Sequence, residues 1–156
     1  MDDDTILARI ADLGLELPPP PQPVAAYVPV RISGSTAYVA GQVGMVDGQV
    51  VHPGRLGDGV TIEEGQAAGR RASLQALSAL RDALGSFDRL KGILQVTVYV
   101  ASTPAFADHP KVANGASELF VDVLGEPGQH ARAAVGMASL PLEGSVEVQV
   151  TAEIEP

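Results

Sequence analysis

From Ser145 to Ile154 apolar and polar residues alternate without a break. Val146, Val148, Val150, Ala152 and Ile154 fall on one side; Ser145, Glu147, Gln149, Thr151 and Glu153 fall on the other. Side chains of an extended chain switch faces at every residue, so this stretch predicts a strand with one buried face. A shorter alternation precedes it, with Ala131, Ala133, Val135 and Met137 opposite Arg132, Ala134 and Gly136, and Leu140-Pro141 turns the chain between the two. A third strand is predicted over Lys91–Ser102, with Leu94, Val96, Val98 and Val100 inward and Gln95, Thr97 and Tyr99 outward. Nearer the N-terminus, Tyr27–Ile32 and Thr36–Val43 flank a Ser33-Gly34 turn and read as a hairpin. Asp47-Gly48 makes a second, smaller hairpin of Val46–Val51, since this dipeptide favours the tight turn that strand twist requires. Gly54–Gly59 reads as a surface loop; no Gly-Lys-Ser/Thr follows it, so it is not a phosphate loop.

Between the strands the period changes to that of a helix. Thr61-Ile62-Glu63-Glu64 is a capping box, and the helix it starts runs to Leu84 before Gly85, with Leu74, Leu77, Leu80 and Leu84 as its buried stripe. A second helix lies within Pro104–Leu124, with Val112, Ala116, Leu119, Phe120 and Val123 facing the core and Asn114 off that stripe. Residues 4–14 form a short amphipathic helix, followed by the stiff run Pro18–Pro23. The order, strands then helix–strand–helix–strand–strand, predicts an α+β two-layer sandwich, a mixed sheet covered on one face by two helices. Residues 1–23 form an N-terminal helix and connector, and residues 24–156 the domain.

Composition narrows the function. The 156 residues are 46% hydrophobic but only 4% aromatic, so the core is aliphatic and oligomerisation is a natural way to bury more surface. A net charge of -9 and a pI near 4.6, with no basic cluster beyond Arg70-Arg71, argue against a nucleic-acid partner. The acidic N-terminus lacks the pattern of a signal peptide, and no apolar run approaches the roughly 20 residues of a membrane span, so no membrane partner is expected. The absence of cysteine excludes disulfides and fits a cytoplasmic location. The three histidines, His52, His109 and His130, show no metal-binding spacing. No G-x-S-x-G nucleophile elbow is present.

The polar sides of the last two strands carry one cation, Arg132, and one anion that can lie near it, Glu147. Arg132, Glu147, Gln149 and Thr151 are expected together on the sheet face away from the helices. That face is too polar for a core and suits a wet subunit interface. Arg132 and Glu147 are either a cross-strand ion pair or parts of a site, and the two are not exclusive.

Ala131-Arg132, two small residues, Val135, then Leu140-Pro141 and the Val146-Glu147-Val148 strand resemble the C-terminal signature of the RidA/YjgF family, the reactive intermediate deaminases also called L-PSP endoribonucleases. The resemblance covers roughly Val24 to Ile154; the N-terminal extension looks like the family's longer-chain branch. It implies a chorismate-mutase-like fold and a homotrimer with sites between subunits. The implied reaction is hydrolysis of enamines or imines such as 2-aminoacrylate to 2-keto acids and ammonia, without a cofactor. Residue by residue, the substrate-carboxylate clamp falls on Arg132, and a guanidinium fork matches a carboxylate bidentately. The water-positioning glutamate falls on Glu147, the helix asparagine on Asn114, the early tyrosine on Tyr27, and the Gly-Gln after the second strand on Gly41-Gln42. Two positions depart from the pattern: Ala40 stands where the family often has Ser, and Ala134 where many members have Cys. A carboxylate-binding trimer without turnover and an endoribonuclease are the alternative activities, the latter disfavoured by the acidic charge.

Overall fold

A computed structural model describes residues 2–156. Its helices are α1 (Asp3–Asp12), α2 (Ile62–Leu84) and α3 (His109–Leu124). The N-terminal strands are β1 (Val30–Ser33), β2 (Thr36–Val43), β3 (Met45–Val46), β4 (Gln49–Val50), β5 (Arg55–Leu56) and β6 (Gly59–Val60). The later strands are β7 (Leu90–Ala101), β8 (Ala131–Met137) and β9 (Val146–Ile154). Five strands form one mixed sheet in the order β1-β2-β9-β7-β8, with β7 and β8 parallel and the other pairs antiparallel. The parallel pair needs a crossover, and α3 supplies it.

The expected α+β architecture is present, and helices α2 and α3 cover one face. β9 sits at the sheet centre and buries Val146, Val148, Val150, Ala152 and Ile154 almost completely. Full burial of a Val or Leu side chain contributes roughly 1.5–3 kcal/mol, so this strand, with Val96, Val98 and Val100 beside it, is a main source of stability. The α2 capping box forms as the sequence predicts: Glu64 N donates to Thr61 Oγ1 at 3.1 Å, and Thr61 N donates to Glu64 Oε2 at 2.9 Å. Gly85 ends the helix in the left-handed region at φ 82°. α2 and α3 touch through small residues. A Cβ on Gly115 would stand 2.6 Å from the Cα of Gln66, so no side chain fits there.

α1 is part of the same core through Ile6 and Ile10. Asp3 holds it in place, accepting from Arg81 Nε and Nη2 at 2.9 and 2.8 Å and from Phe87 N at 2.8 Å. The proline run then follows α2, where the Ser78 hydroxyl donates to the Pro18 carbonyl at 2.6 Å.

Four expectations need correction. Leu94 points outward and is 45% exposed, because β7 carries an extra residue between Ile93 and Gln95 in its pairing with β9; Ile93 takes the inward place. The 54–59 stretch is not wholly a surface loop, since Leu56 is fully buried. β8 is an edge strand whose apolar side, Ala131, Ala133, Val135 and Met137, is exposed. Arg132 and Glu147 do not share a face. In the parallel register Arg132 pairs with Val96 and Ala134 with Val98, which places Arg132 on the helix side; Glu147 pairs with Tyr99 on the open side. β7 also separates β8 from β9, so the two residues form no ion pair within one chain.

Candidate functional site

The residues singled out from the sequence gather into two clusters, one around Glu147, on the open side of the sheet, and one around Arg132, on the helix side; Gln42 lines the Glu147 cleft but pairs with Val148 and points to the helix side. The first is built around Glu147. Between Val39 and Gln42, β2 carries one extra residue against β9, and the resulting bulge brings Gly41 under the Glu147 side chain. A Cβ on Gly41 would stand 3.0 Å from Glu147 Cδ and closer still to Oε1, so only glycine leaves the carboxylate this position. The Glu147 carboxyl is half-buried, and burial pushes its pKa above the usual carboxylate range. Among the described residues no hydrogen-bond donor reaches it.

Glu147 lines a cleft of about 590 Å3 together with Tyr27, Ala40, Gln42, Pro141 and Leu142, and with Pro21 and Val24 of the N-terminal connector. A second hollow of about 310 Å3 lies on the open sheet face and shares Gly41, Pro141 and Glu147 with the cleft, adding Tyr99 and Gln149. Tyr99 Oη donates to Gln149 Oε1 at 3.0 Å. Ala40 and the apolar rim leave the cleft with few polar groups. Gln42 is 6% exposed and is held from beneath by Gln75, whose Nε2 donates to Val43 O at 2.9 Å and to Gln42 Oε1 at 3.4 Å. The Met45 amide donates to Gln75 Oε1 at 2.6 Å and fixes that side chain. The Leu140-Pro141 corner is strained. Leu142 and Glu143 both have φ of 59°, a left-handed conformation that costs a non-glycine residue roughly 1–2 kcal/mol, and it projects Leu142 over the cleft.

The second cluster surrounds Arg132 at the β8 edge. Its Nη1 donates to Asn114 Oδ1 at 2.9 Å and to Ser117 Oγ at 3.2 Å, both on α3. A guanidinium has five N–H donors. These two bonds use one nitrogen, so Nε and Nη2 form a free side-on fork matched to a carboxylate. Asn114 lies off the buried stripe, as the helical wheel predicts, and faces the β8 edge. Ser117 is one turn further along the same helix face. Ala134, two residues along the strand from Arg132, is half-buried against the core.

His130 completes this cluster. Its Nδ1 lies 2.6 Å from the Gly128 carbonyl and its Nε2 2.9 Å from Ser117 Oγ, and its ring meets Phe120 edge-on at 5.7 Å between centroids. Burial first, and then the Arg132 charge, lower its pKa, although the Gly128 bond opposes them. Ser117, His130 and Gln75 touch the candidate residues and were passed over by sequence reasoning. The available signals were weak: Ser117 follows Asn114 by a helical turn, and His130 precedes Arg132 by two extended residues. Among the described residues no group of three or more His, Cys, Asp or Glu side chains is placed to hold a metal ion. No helix among them is long and apolar enough to cross a membrane.

The comparisons with known proteins follow the same lines. The model of the YjgF/chorismate mutase-like family, whose description also carries the word endoribonuclease, matches residues 7–154. The chain belongs to this family. It is 41% identical over 150 residues to protein TCP17 of Trypanosoma cruzi, a match that covers 96% of this chain and 94% of that protein. Among solved structures, protein Atu1372 of Agrobacterium tumefaciens, described as of unknown function, superposes with a TM-score of 0.93 at 41% identity, over 98% of this chain and 94% of that one. A more distant relative, 26% identical over 141 residues, is the 2-iminobutanoate/2-iminopropanoate deaminase of Dermatophagoides farinae, covering 90% of this chain and 95% of that protein.

Proposed function

We propose that this protein hydrolyses reactive enamine or imine carboxylates to 2-keto acids and ammonia. The observation that carries the reading is Glu147: a half-buried carboxyl with raised pKa, held over Gly41 in the wall of a cleft. A carboxylate whose pKa moves toward neutrality is better matched to taking and returning a proton. The D. farinae relative acts, by its name, on 2-iminobutanoate and 2-iminopropanoate, the imine tautomers of such enamines.

The substrate carboxylate binds the Nε and Nη2 donors of Arg132, whose orientation Asn114 and Ser117 fix. Glu147 orients a water toward the imine carbon and takes its proton as the C–O bond forms. The C=N electron pair moves to nitrogen, which takes that proton back from Glu147. Glu147 then takes the hydroxyl proton of the tetrahedral intermediate and passes it to the amine as the C–N bond breaks, so ammonia leaves and the carbonyl of the keto acid remains. Tyr27 and Gln42 line the cleft where the substrate side chain lies.

Because Arg132 and Glu147 lie on opposite faces of one sheet, a single chain does not bring them to one substrate. The proposed assembly is a homotrimer in which Arg132 of one protomer meets Glu147 of the next. The exposed apolar side chains of Val135, Met137, Leu94 and Tyr38 give that assembly surface to bury.

The reading is tested with a pyridoxal-phosphate dehydratase that releases 2-aminoacrylate continuously. The protein should accelerate keto-acid formation above the buffer blank, and Glu147→Gln should abolish most of the acceleration. Carboxylate binding at Arg132 without any acceleration would make the protein a small-anion-binding module, a reading favoured by the alanines at positions 40 and 134.

A further inference from the structure

The second cluster contains a hydrogen-bonded chain with a fixed direction. The Gly128 carbonyl only accepts, so the proton of the neutral His130 ring sits on Nδ1, 2.6 Å from that oxygen. Nε2 is therefore bare and accepts the Ser117 hydroxyl proton across 2.9 Å. With its proton committed to His130, the Ser117 oxygen turns lone pairs toward Arg132 Nη1 at 3.2 Å. Donation runs one way, from Arg132 to Ser117 to His130 to the Gly128 carbonyl, and each bond in such a chain polarises the next.

We propose that His130 and Ser117 are positioning residues for Arg132: they seat one guanidinium nitrogen so that the other two face an incoming carboxylate. The inference rests on reading Arg132 as the carboxylate clamp. Three features join the geometry. The seat uses Nη1 alone, leaving Nε and Nη2 without partners among the described residues. The Phe120 ring packs edge-on against His130 and limits its rotation. Burial and the neighbouring guanidinium both favour the neutral ring, the state in which Nε2 accepts. Without the seat, Nη1 keeps only its bond to Asn114 Oδ1, the guanidinium can pivot about that single contact, and an anion must order it on binding.

The test is benzoate binding to the intact protein, by calorimetry, with melting temperature measured in parallel. Ser117→Ala and His130→Phe should each weaken benzoate about 10-fold, the scale of one hydrogen bond to a charged group. The double variant should be little worse than the weaker single variant, because both act through one chain. Ser117→Thr, which restores the hydroxyl, should recover most of the loss, and in an Arg132→Ala background Ser117→Ala should change nothing. Nitrogen NMR of His130 should show the Nδ1–H tautomer. In turnover the loss should fall on KM rather than kcat, since the clamp holds ground and transition states alike. If Ser117→Ala and His130→Phe bind benzoate like the wild type while Arg132→Ala does not, the seat is wrong and the clamp stands. Lower melting temperatures with unchanged affinity would reduce the chain to a structural role. If Arg132→Ala itself binds benzoate normally, the clamp fails and the seat with it.

Discussion

Replacing Gly41 with alanine probes the proposed chemistry without touching a charged group. Gly41 has no left-handed backbone to strain, so the substitution acts through its Cβ alone. That Cβ would stand 3.0 Å from Glu147 Cδ and closer to Oε1, whereas carbon contacts are most favourable at about 3.5–4.0 Å. The carboxylate must therefore retreat by roughly 1 Å, and a misplacement of that size costs about 100-fold in rate. Stability should change little. The Glu147 head is the flexible end of a side chain, and alanine in a strand recovers about 0.5–1 kcal/mol relative to glycine. For a chain of this length that bounds the melting shift to within about 4 °C either way. The 2-aminoacrylate assay should show kcat down about 100-fold, with benzoate affinity unchanged because Arg132 is untouched. Full activity in Gly41→Ala would sever the carboxylate's position from the chemistry. A melting loss beyond about 10 °C would show that the backbone yields rather than Glu147.

Arg132→Lys should weaken benzoate at least about 10-fold, since Lys keeps the charge and loses the planar fork; equal affinity by calorimetry would refute the bidentate clamp. Glu147→Gln should lower kcat about 100-fold and leave benzoate binding intact. It should also remove a pH dependence. Because burial raises the folded-state pKa of Glu147, its contribution to stability is fully present below the unfolded value and is lost as pH rises through the folded value. The Gln variant should therefore melt no lower than the wild type at neutral pH, and a clearly lower melting temperature there would contradict the sign. In the wild type the acid limb of the pH–rate profile should lie above the ordinary glutamate range. Gly115→Ala should destabilise by about 1–3 kcal/mol in urea melts, because its Cβ meets the backbone of Gln66 and neither helix can yield locally; an unchanged midpoint would mean that the helices separate freely.

Most of the fold was legible because local signals agreed. The alternation of β9, the capping box at Thr61 and the Asp47-Gly48 turn each specify their element without help from distant residues. What stayed hidden depends on pairing. Alternation told that Arg132 and Ala133 face opposite ways, but not which of the two faces the helices. That is set by the parallel register with β7, and the apolar run Ala131, Ala133, Val135 and Met137 pointed to the wrong side. Leu94 was misplaced for a related reason, since one bulge reverses the parity of a strand. The candidate site came from the family resemblance carried by Arg132, Leu140-Pro141 and Glu147, whereas the contacts of Ser117, His130 and Gln75 are announced by no local pattern.

The placement of Arg132 and Glu147 on opposite faces of one sheet has a genetic consequence. In the proposed trimer each chain lends its arginine to one neighbour's site and its glutamate to the other's. Two alleles, one lacking the arginine and one lacking the glutamate, are then each inactive alone but complement one another in a mixed cell. With random mixing in equal amounts, about a quarter of the sites receive both intact residues. A diploid or merodiploid carrying the two lesions would recover activity that neither parent strain has, whereas two alleles that simply abolish the protein would fail to complement.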